Sequence, residues 1–230
     1  MSKNRWVDFW RAHGRTAASA DLQTQVLRTF NKQPIEMERW QETLVYVDKL
    51  FPISPIDDVL DLCCGNGLFS SHFAERARTV IAVDISSDLL AKLARRFLHN
   101  VTTLCADVRE AHFADAAFSR IWIYAGIQYL SEREVVLLFQ NMLRWLRPEG
   151  LLFIGDVPDR ARLWAFYDTP QRRSQYFDNY AKDQDVVGTW FDPLWLRYLA
   201  ESIGFRNAET IPQPAGQIYA HFRFDMMAHR

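Results

Sequence analysis

Two hydrophobic periods take turns along this chain. From residue 36 to 51, "EMERWQETLVYVDKLF" spaces Met37, Trp40, Leu44, Val47 and Phe51 three or four apart, which predicts an amphipathic helix. Pro52 and Pro55 in "FPISPIDD" stop it. The short apolar run "VLDLCC" then reads as a buried strand, and from there strand and helix patterns alternate. "GLFSSHFAERA" predicts a helix, "TVIAVD" a strand, "SSDLLAKLARRFL" a helix capped by Ser86 or Ser87, and "VTTLCADV" and "FSRIWIYAG" two strands. "SEREVVLLFQNMLRWL" opens with Ser131 and Glu134 at capping-box spacing and continues as a helix; "GLLFIGDV" is a fifth strand. "DPLWLRYLAESIGF" has Asp192 as its cap, Pro193 in its first turn and Gly204 at its stop. "NAETIP" and "GQIYAHFRFDMMAH" predict two last strands with no helix between them.

Strands separated by helices form a parallel sheet covered on both faces, and two strands joined by a short connection pair antiparallel. The expected fold is therefore α/β, a doubly wound sheet of seven strands, mostly parallel with an antiparallel C-terminal hairpin. Residues 1–52 read as a helical N-terminal extension and 53–230 as the core. Residues 157–190, rich in Arg, Trp, Tyr and Phe, interrupt the alternation as an insertion over the substrate side.

Composition narrows the function. The 230 residues carry a net charge of −1, so no basic surplus supports phosphate-backbone binding, and nucleic acid is not expected as a partner. No apolar run approaches the ~20 residues that span a bilayer, and the first residues lack a secretory apolar core, so no membrane partner is expected. Three cysteines, Cys63, Cys64 and Cys105, make an odd count that fits a reducing, cytoplasmic setting. Neither they nor the six scattered histidines have metal-ligand spacing, so no metal is expected.

In a doubly wound sheet, ligands bind beyond the carboxyl ends of the strands where the winding reverses, so the loop "CCGNG" after the first strand is the candidate cofactor loop. Ser70 stands where a dinucleotide fingerprint needs glycine, and no Lys-Ser/Thr ending makes a phosphate loop. The ordered set "VLDLCCGNG", "VIAVD", "LCADV" and "LRPEGLLFIGD", within residues 57–156, resembles the motifs of class I S-adenosylmethionine-dependent methyltransferases, whose core is Rossmann-like. Cys63 replaces that family's first loop glycine.

The resemblance implies S-adenosylmethionine as cofactor, held by Asp61, Cys63, Gly65, Asn66, Gly67, Asp84, Ile85, Asp107, Val108 and Ala125. Asp61 would meet the amino-acid end and Asp84 the two ribose hydroxyls, while Asp107 and the Val108 N–H would meet the adenine. Gly67 would allow backbone to approach the cofactor, and the two cysteines would pack as small apolar groups. The acceptor is expected to be a small molecule: a sugar, a polysaccharide precursor or a secondary metabolite. For a hydroxyl acceptor the candidate bases are His221, Asp156 and Tyr129. His221 leads because period two in the last strand puts Tyr219, His221, Arg223 and Asp225 on one face, whose start at Tyr219 and His221 is near the rim, and because its pKa is near neutral. Cyclisation or aminocarboxypropyl transfer from the same cofactor, and a catalytically silent partner subunit, are the alternatives.

Overall fold

The computed structural model describes residues 5–18 and 21–230. Helices α1 (Arg5–Thr16) and α2 (Met37–Leu50) precede the alternating part; residues 1–4 and 19–20 of the expected 1–52 extension lie outside the described residues. The elements that follow are β1 (Asp58–Leu62), α3 (Leu68–Ala74), β2 (Thr79–Asp84), α4 (Ser87–Ala94), β3 (Val101–Cys105), β4 (Phe118–Tyr124), α5 (Glu132–Trp145) and β5 (Leu146–Pro158). Then come α6 (Leu163–Phe166), α7 (Pro170–Ala181), α8 (Pro193–Ile203), β6 (Arg206–Pro212) and β7 (Arg223–His229).

The seven strands form one sheet in the order β3-β2-β1-β4-β5-β7-β6. β1 pairs in parallel with both β2 and β4, so the winding reverses between β1 and β4. β7 runs antiparallel to β5 and to β6, which gives the expected hairpin and wedges its second strand inside the sheet. The expected α/β sheet of seven strands is the one observed.

The central strands, β1 and most of β5 above all, are buried on both faces because helices cover both, while the edge strands β3 and β6 are largely exposed. On β4, Ile121 and Ile123 pack with Phe139, Met142 and Trp145 of α5, while Trp122 points the other way, among Val47, Phe51, Phe69 and Phe73. The helix ends follow their sequence signals. Ser86 accepts a hydrogen bond from the Leu89 N–H, Ser131 and Glu134 form a complete capping box, and Asp192 accepts from the Leu194 N–H before the left-handed stop at Gly204. No helix among the described residues is long and apolar enough to cross a membrane.

Two of the expected boundaries that move bear on the substrate side. β5 continues to Pro158, so the segment expected as an insertion at 157–190 starts at Asp159. The last strand is shorter than "GQIYAHFRFDMMAH": residues before Arg223 turn, with Gln217 bonding back to Pro214, Ala220 to Gln217 and Phe222 to Tyr219. Tyr219 and Phe222 are drawn out of strand geometry by an aromatic cluster with Phe166, Tyr167 and Trp190 of the inserted segment. Tyr219 also donates its hydroxyl to the Thr29 carbonyl at 2.7 Å. His221 therefore does not share a strand face with Arg223 and Asp225.

Candidate active site

A cavity of about 350 Å³ opens at the carboxyl ends of the strands, across the reversal point between β1 and β4. One end is walled by Asp61, Cys63, Gly65, Asp84, Ile85, Asp107 and Val108, the other by Tyr124, Asp156, Tyr219, Phe222 and Arg223. Ala125 and Tyr129 line it after β4. Trp6 and Trp10 of α1, with Phe166, Val186 and Val187 of the inserted segment, also face it.

The loop after β1 is built on left-handed backbone. Cys63 has φ +58°, Gly65 +58° and Gly67 +76°. Cys63 thus holds the conformation that a glycine adopts without strain, at a cost of ~1–3 kcal/mol for a residue with a side chain. Room for that side chain comes from Gly126, where a β-carbon would lie 2.8 Å from the Cys63 β-carbon. Burial pushes the Cys63 and Cys64 thiols well above their ordinary range, so neither is a thiolate at neutral pH.

Asp84 is buried and already holds the loop: Oδ2 accepts the Gly65 N–H at 2.8 Å and Oδ1 the Ser86 N–H at 2.9 Å. Each carboxylate oxygen keeps a lone pair for a ligand. Asp61 is 2% exposed and accepts from the Ser70 hydroxyl. Among the described residues it has no cationic partner. Burial pushes its pKa up to about 7 against the pull of Ser70, and the nearby Asp84 charge adds to the rise. A buried carboxyl lacking a cation is the complement of an ammonium group, and Asp84 offers the paired acceptors that vicinal hydroxyls need. The site fits S-adenosylmethionine on these two observations. Asp107 is committed further, since Arg109 grips both of its oxygens and holds its pKa low against partial burial.

Asn66 and Gly67, expected at the cofactor, do not line the cavity. Asn66 is fully buried and donates to the Leu22 carbonyl and to Gln25 Oε1, both at 2.8 Å, which ties the N-terminal segment onto the loop. A β-carbon at Gly67 would meet the Leu93 side chain at 2.5 Å, so this glycine makes room for α4 and not for a ligand. Gly67→Val should therefore lower the melting temperature by several degrees, through about 2 kcal/mol of overpacking and backbone strain. Thermal unfolding checks this, and an unchanged midpoint would return Gly67 to the ligand side.

Of the three expected bases, His221 is exposed and does not line the cavity; its ring lies against Phe222 on the outside, with centroids 4.7 Å apart. The turn before β7 carries it there. His221→Ala should accordingly leave kcat within about twofold of wild type, and a loss near the ~100-fold of a removed general base would contradict that placement. Asp156 and Tyr129 do face the cavity. Asp156 sits at φ +60° and pairs with Arg223 at 3.2 Å. Burial pushes Tyr129 up to about 12, so it is a proton donor near neutrality; its ring packs against Trp6 and Trp10 at 4.8 and 5.5 Å.

Arg28, Tyr124 and Arg223 also line the cavity, none of them among the candidates that the sequence pattern marks. Arg28 belongs to no periodic element, and nothing in the sequence pattern marks it. Tyr124 ends a predicted strand at the ligand edge and could have been found by the same rule as Asp84.

The methyltransferase-domain family model matches residues 59–150. Phosphoethanolamine N-methyltransferase 1 of Arabidopsis thaliana is 28% identical over 205 residues, covering 84% of this chain and 39% of that protein. This chain thus spans well under two thirds of that curated relative. The structure of Haemonchus contortus phosphoethanolamine N-methyltransferase 1, in complex with phosphoethanolamine and S-adenosylhomocysteine, superposes with a TM-score of 0.69 at 16% identity, over 100% of this chain and 50% of that one. An S-adenosylmethionine-dependent methyltransferase from Mesorhizobium loti gives 0.62 at 19% identity, over 81% of this chain and 96% of that one.

Proposed function

This chain belongs to the class I S-adenosylmethionine-dependent methyltransferases, and from that premise we propose that it transfers a methyl group to an oxygen or nitrogen of a small molecule. When bound, S-adenosylmethionine supplies a methyl group on a sulfonium, a leaving group that is already activated. The protein's share is to hold and orient. Asp84 accepts the ribose hydroxyls, Asp61 faces the ammonium, and Gly65, Cys63, Ile85, Val108 and Ala125 shape the walls. Asp107 remains the acceptor for the adenine amine, with Arg109 fixing its orientation. Positioning of this kind supplies much of the rate for an in-line transfer.

The observation that carries the small-molecule reading is the roof. Trp6 and Trp10 from α1, and Phe166 and Val187 from the inserted segment, line the same cavity as Asp61 and Asp84. Residues 1–52 then act as a cap, 53–230 as the catalytic core, and the segment after β5 as a substrate cover. Arg5 clasps the two parts, donating to the Asp183 carbonyl at 2.9 Å and to Asp185 Oδ2 at 3.2 Å. Such a roof limits the access of water and of polymers to the transfer. The relatives named for phosphoethanolamine support an acceptor of that size. Three free thiols fit a reducing, cytoplasmic setting.

The test is product analysis with an acceptor panel of sugars, amino alcohols and small acids. S-adenosylhomocysteine released together with a gain of ~14 Da in one acceptor, the mass of the added CH₂, supports the proposal. Methylthioadenosine as the product would replace it with cyclisation or aminocarboxypropyl transfer. Tight cofactor binding without turnover on any acceptor would favour a silent partner subunit.

A further inference from the structure

Two buried guanidinium groups face the end of the cavity away from Asp61 and Asp84. Arg28 is 7% exposed. Its Nη1 donates to the Tyr124 hydroxyl at 3.0 Å and its Nη2 to Thr43 Oγ1 at 3.3 Å, both neutral. Its plane lies over the rings of Tyr124 and Trp40, at 5.3 and 5.5 Å. Nε has no partner, and among the described residues no carboxylate pairs with this side chain. Arg223 is 8% exposed, and its Nε is also without a partner. Its guanidinium lies over Tyr219 and Phe222 and pairs with Asp156.

A buried cation is costly unless an anion meets it. Asp156 touches only one of the two guanidinium groups: its Oδ2 and its carbonyl are held by Arg223, its Oδ1 accepts from Gln213 Nε2 at 3.3 Å, and it acts on Arg28 only through its field. The next acid, Asp225, does not line the cavity. It is turned behind the strand ends, where the Tyr46 hydroxyl, the Asp156 N–H and Gln213 Nε2 occupy it at 2.7, 2.7 and 2.8 Å. This end of the cavity therefore holds two guanidinium groups and one carboxylate, with no carboxylate among the described residues in contact with Arg28, and has aromatic walls. Guanidinium forks match the oxygens of a carboxylate or a phosphoryl group in a way that water and neutral hydroxyls do not.

We propose that Arg28 and Arg223 form an oxyanion-binding subsite that takes the methyl acceptor, and that the acceptor carries a carboxylate or phosphoryl group. The proposal rests on the methyltransferase reading and deepens it. Anchoring the anionic end at Arg28 and Arg223 leaves the rest of the acceptor between Tyr129, Phe166 and Phe222, on the way to the cofactor end of the cavity. Asp156, held by Arg223, leaves Arg28 as the guanidinium without a described carboxylate in contact, which an anionic group of the acceptor would meet.

The experiment uses the full chain saturated with S-adenosylhomocysteine, titrated calorimetrically with inorganic phosphate and, separately, with malonate. Wild type should bind at least one of the two saturably. Preference for phosphate identifies a phosphoryl acceptor and preference for malonate a carboxylate. Arg28→Met should weaken that binding by roughly 10- to 100-fold, the loss of a charged hydrogen-bond donor, while S-adenosylhomocysteine affinity stays within about twofold. If Arg28→Met does not fold, Arg28→Lys serves in its place: it keeps the charge but loses the fork, and binding of the anion that wild type prefers should still fall by about 10-fold.

The cofactor's own carboxylate is the competing anion, and methylthioadenosine, which lacks the amino-acid end, separates the two. If Arg28→Met loses affinity for S-adenosylhomocysteine but not for methylthioadenosine, Arg28 serves the cofactor and the acceptor subsite is overturned. It is overturned as well if wild-type protein saturated with S-adenosylhomocysteine ignores both anions. A wild-type protein that fails to bind S-adenosylhomocysteine at all sinks the methyltransferase reading itself.

Discussion

Asp84→Ala should weaken binding of S-adenosylhomocysteine by roughly 100-fold, the largest loss expected from any single side chain of the cofactor end. Two effects combine. The carboxylate offers the ribose hydroxyls charged acceptors, each such bond being worth ~1.5–3 kcal/mol. The same carboxylate also accepts the Gly65 and Ser86 N–H groups, so alanine leaves two buried donors unmet and loosens the loop that shapes the site. Asp84→Asn separates the effects, because it keeps one oxygen acceptor and the volume but not the charge, and should fall between wild type and alanine. Calorimetry on folded variants decides. An Asp84→Ala protein that melts normally and binds with wild-type affinity would remove Asp84 from the ribose and leave it as a loop anchor only.

The frame of the fold was readable because each element declares itself locally. The capping box at Ser131 and Glu134, the Asp192-Pro193 start and the Gly204 stop depend on neighbours a few residues away, and all stand where the pattern put them. The parallel order follows from helices lying between the strands. Asp84 and Asp61 were readable for a similar reason, since a strand end next to a glycine loop fixes where a side chain points. The failures share a different cause, namely a partner that arrives from far along the chain. Gly67 looks like a ligand glycine until Leu93 of α4 packs over it. His221 follows a period-two pattern that runs unbroken from Tyr219 to Asp225, yet the aromatic cluster of the inserted segment captures Tyr219 and Phe222 and bends the chain before the strand begins. Arg28 becomes visible only when the segment tied down by Gln25 and Asn66 lies across the end of β4. Cys63 shows the converse. The sequence departs from glycine there, and the backbone keeps the glycine conformation because Gly126, on another loop, gives the side chain room.

Asp61 should give the cofactor-free protein a pH signature that its cofactor reverses. Burial raises its folded pKa to about 7, while the unfolded chain titrates near the ordinary aspartate value of ~3.9. The folded state therefore holds this proton more tightly than the unfolded state does. The resulting stabilisation is full below about pH 4 and is lost as pH rises to about 7, at ~1.4 kcal/mol per pH unit or roughly 4 kcal/mol over the window. Asp61→Asn cannot ionise and still accepts the Ser70 hydroxyl. Without cofactor it should match wild type in acid and exceed it in melting temperature above about pH 7. Binding runs the other way. A bound ammonium favours the ionised carboxylate, so wild-type affinity for S-adenosylhomocysteine should climb by up to ~10-fold per pH unit below about pH 7 and then level off. The Asn variant should show a flatter profile and weaker binding at about pH 8, where it lacks the charge. Other buried acids, such as Asp225 with its pKa pushed up to about 6, titrate in both proteins and cancel in the comparison. Parallel binding and melting profiles for the two proteins across this range would show that Asp61 meets no cation, and the ammonium would have to be held elsewhere in the cavity.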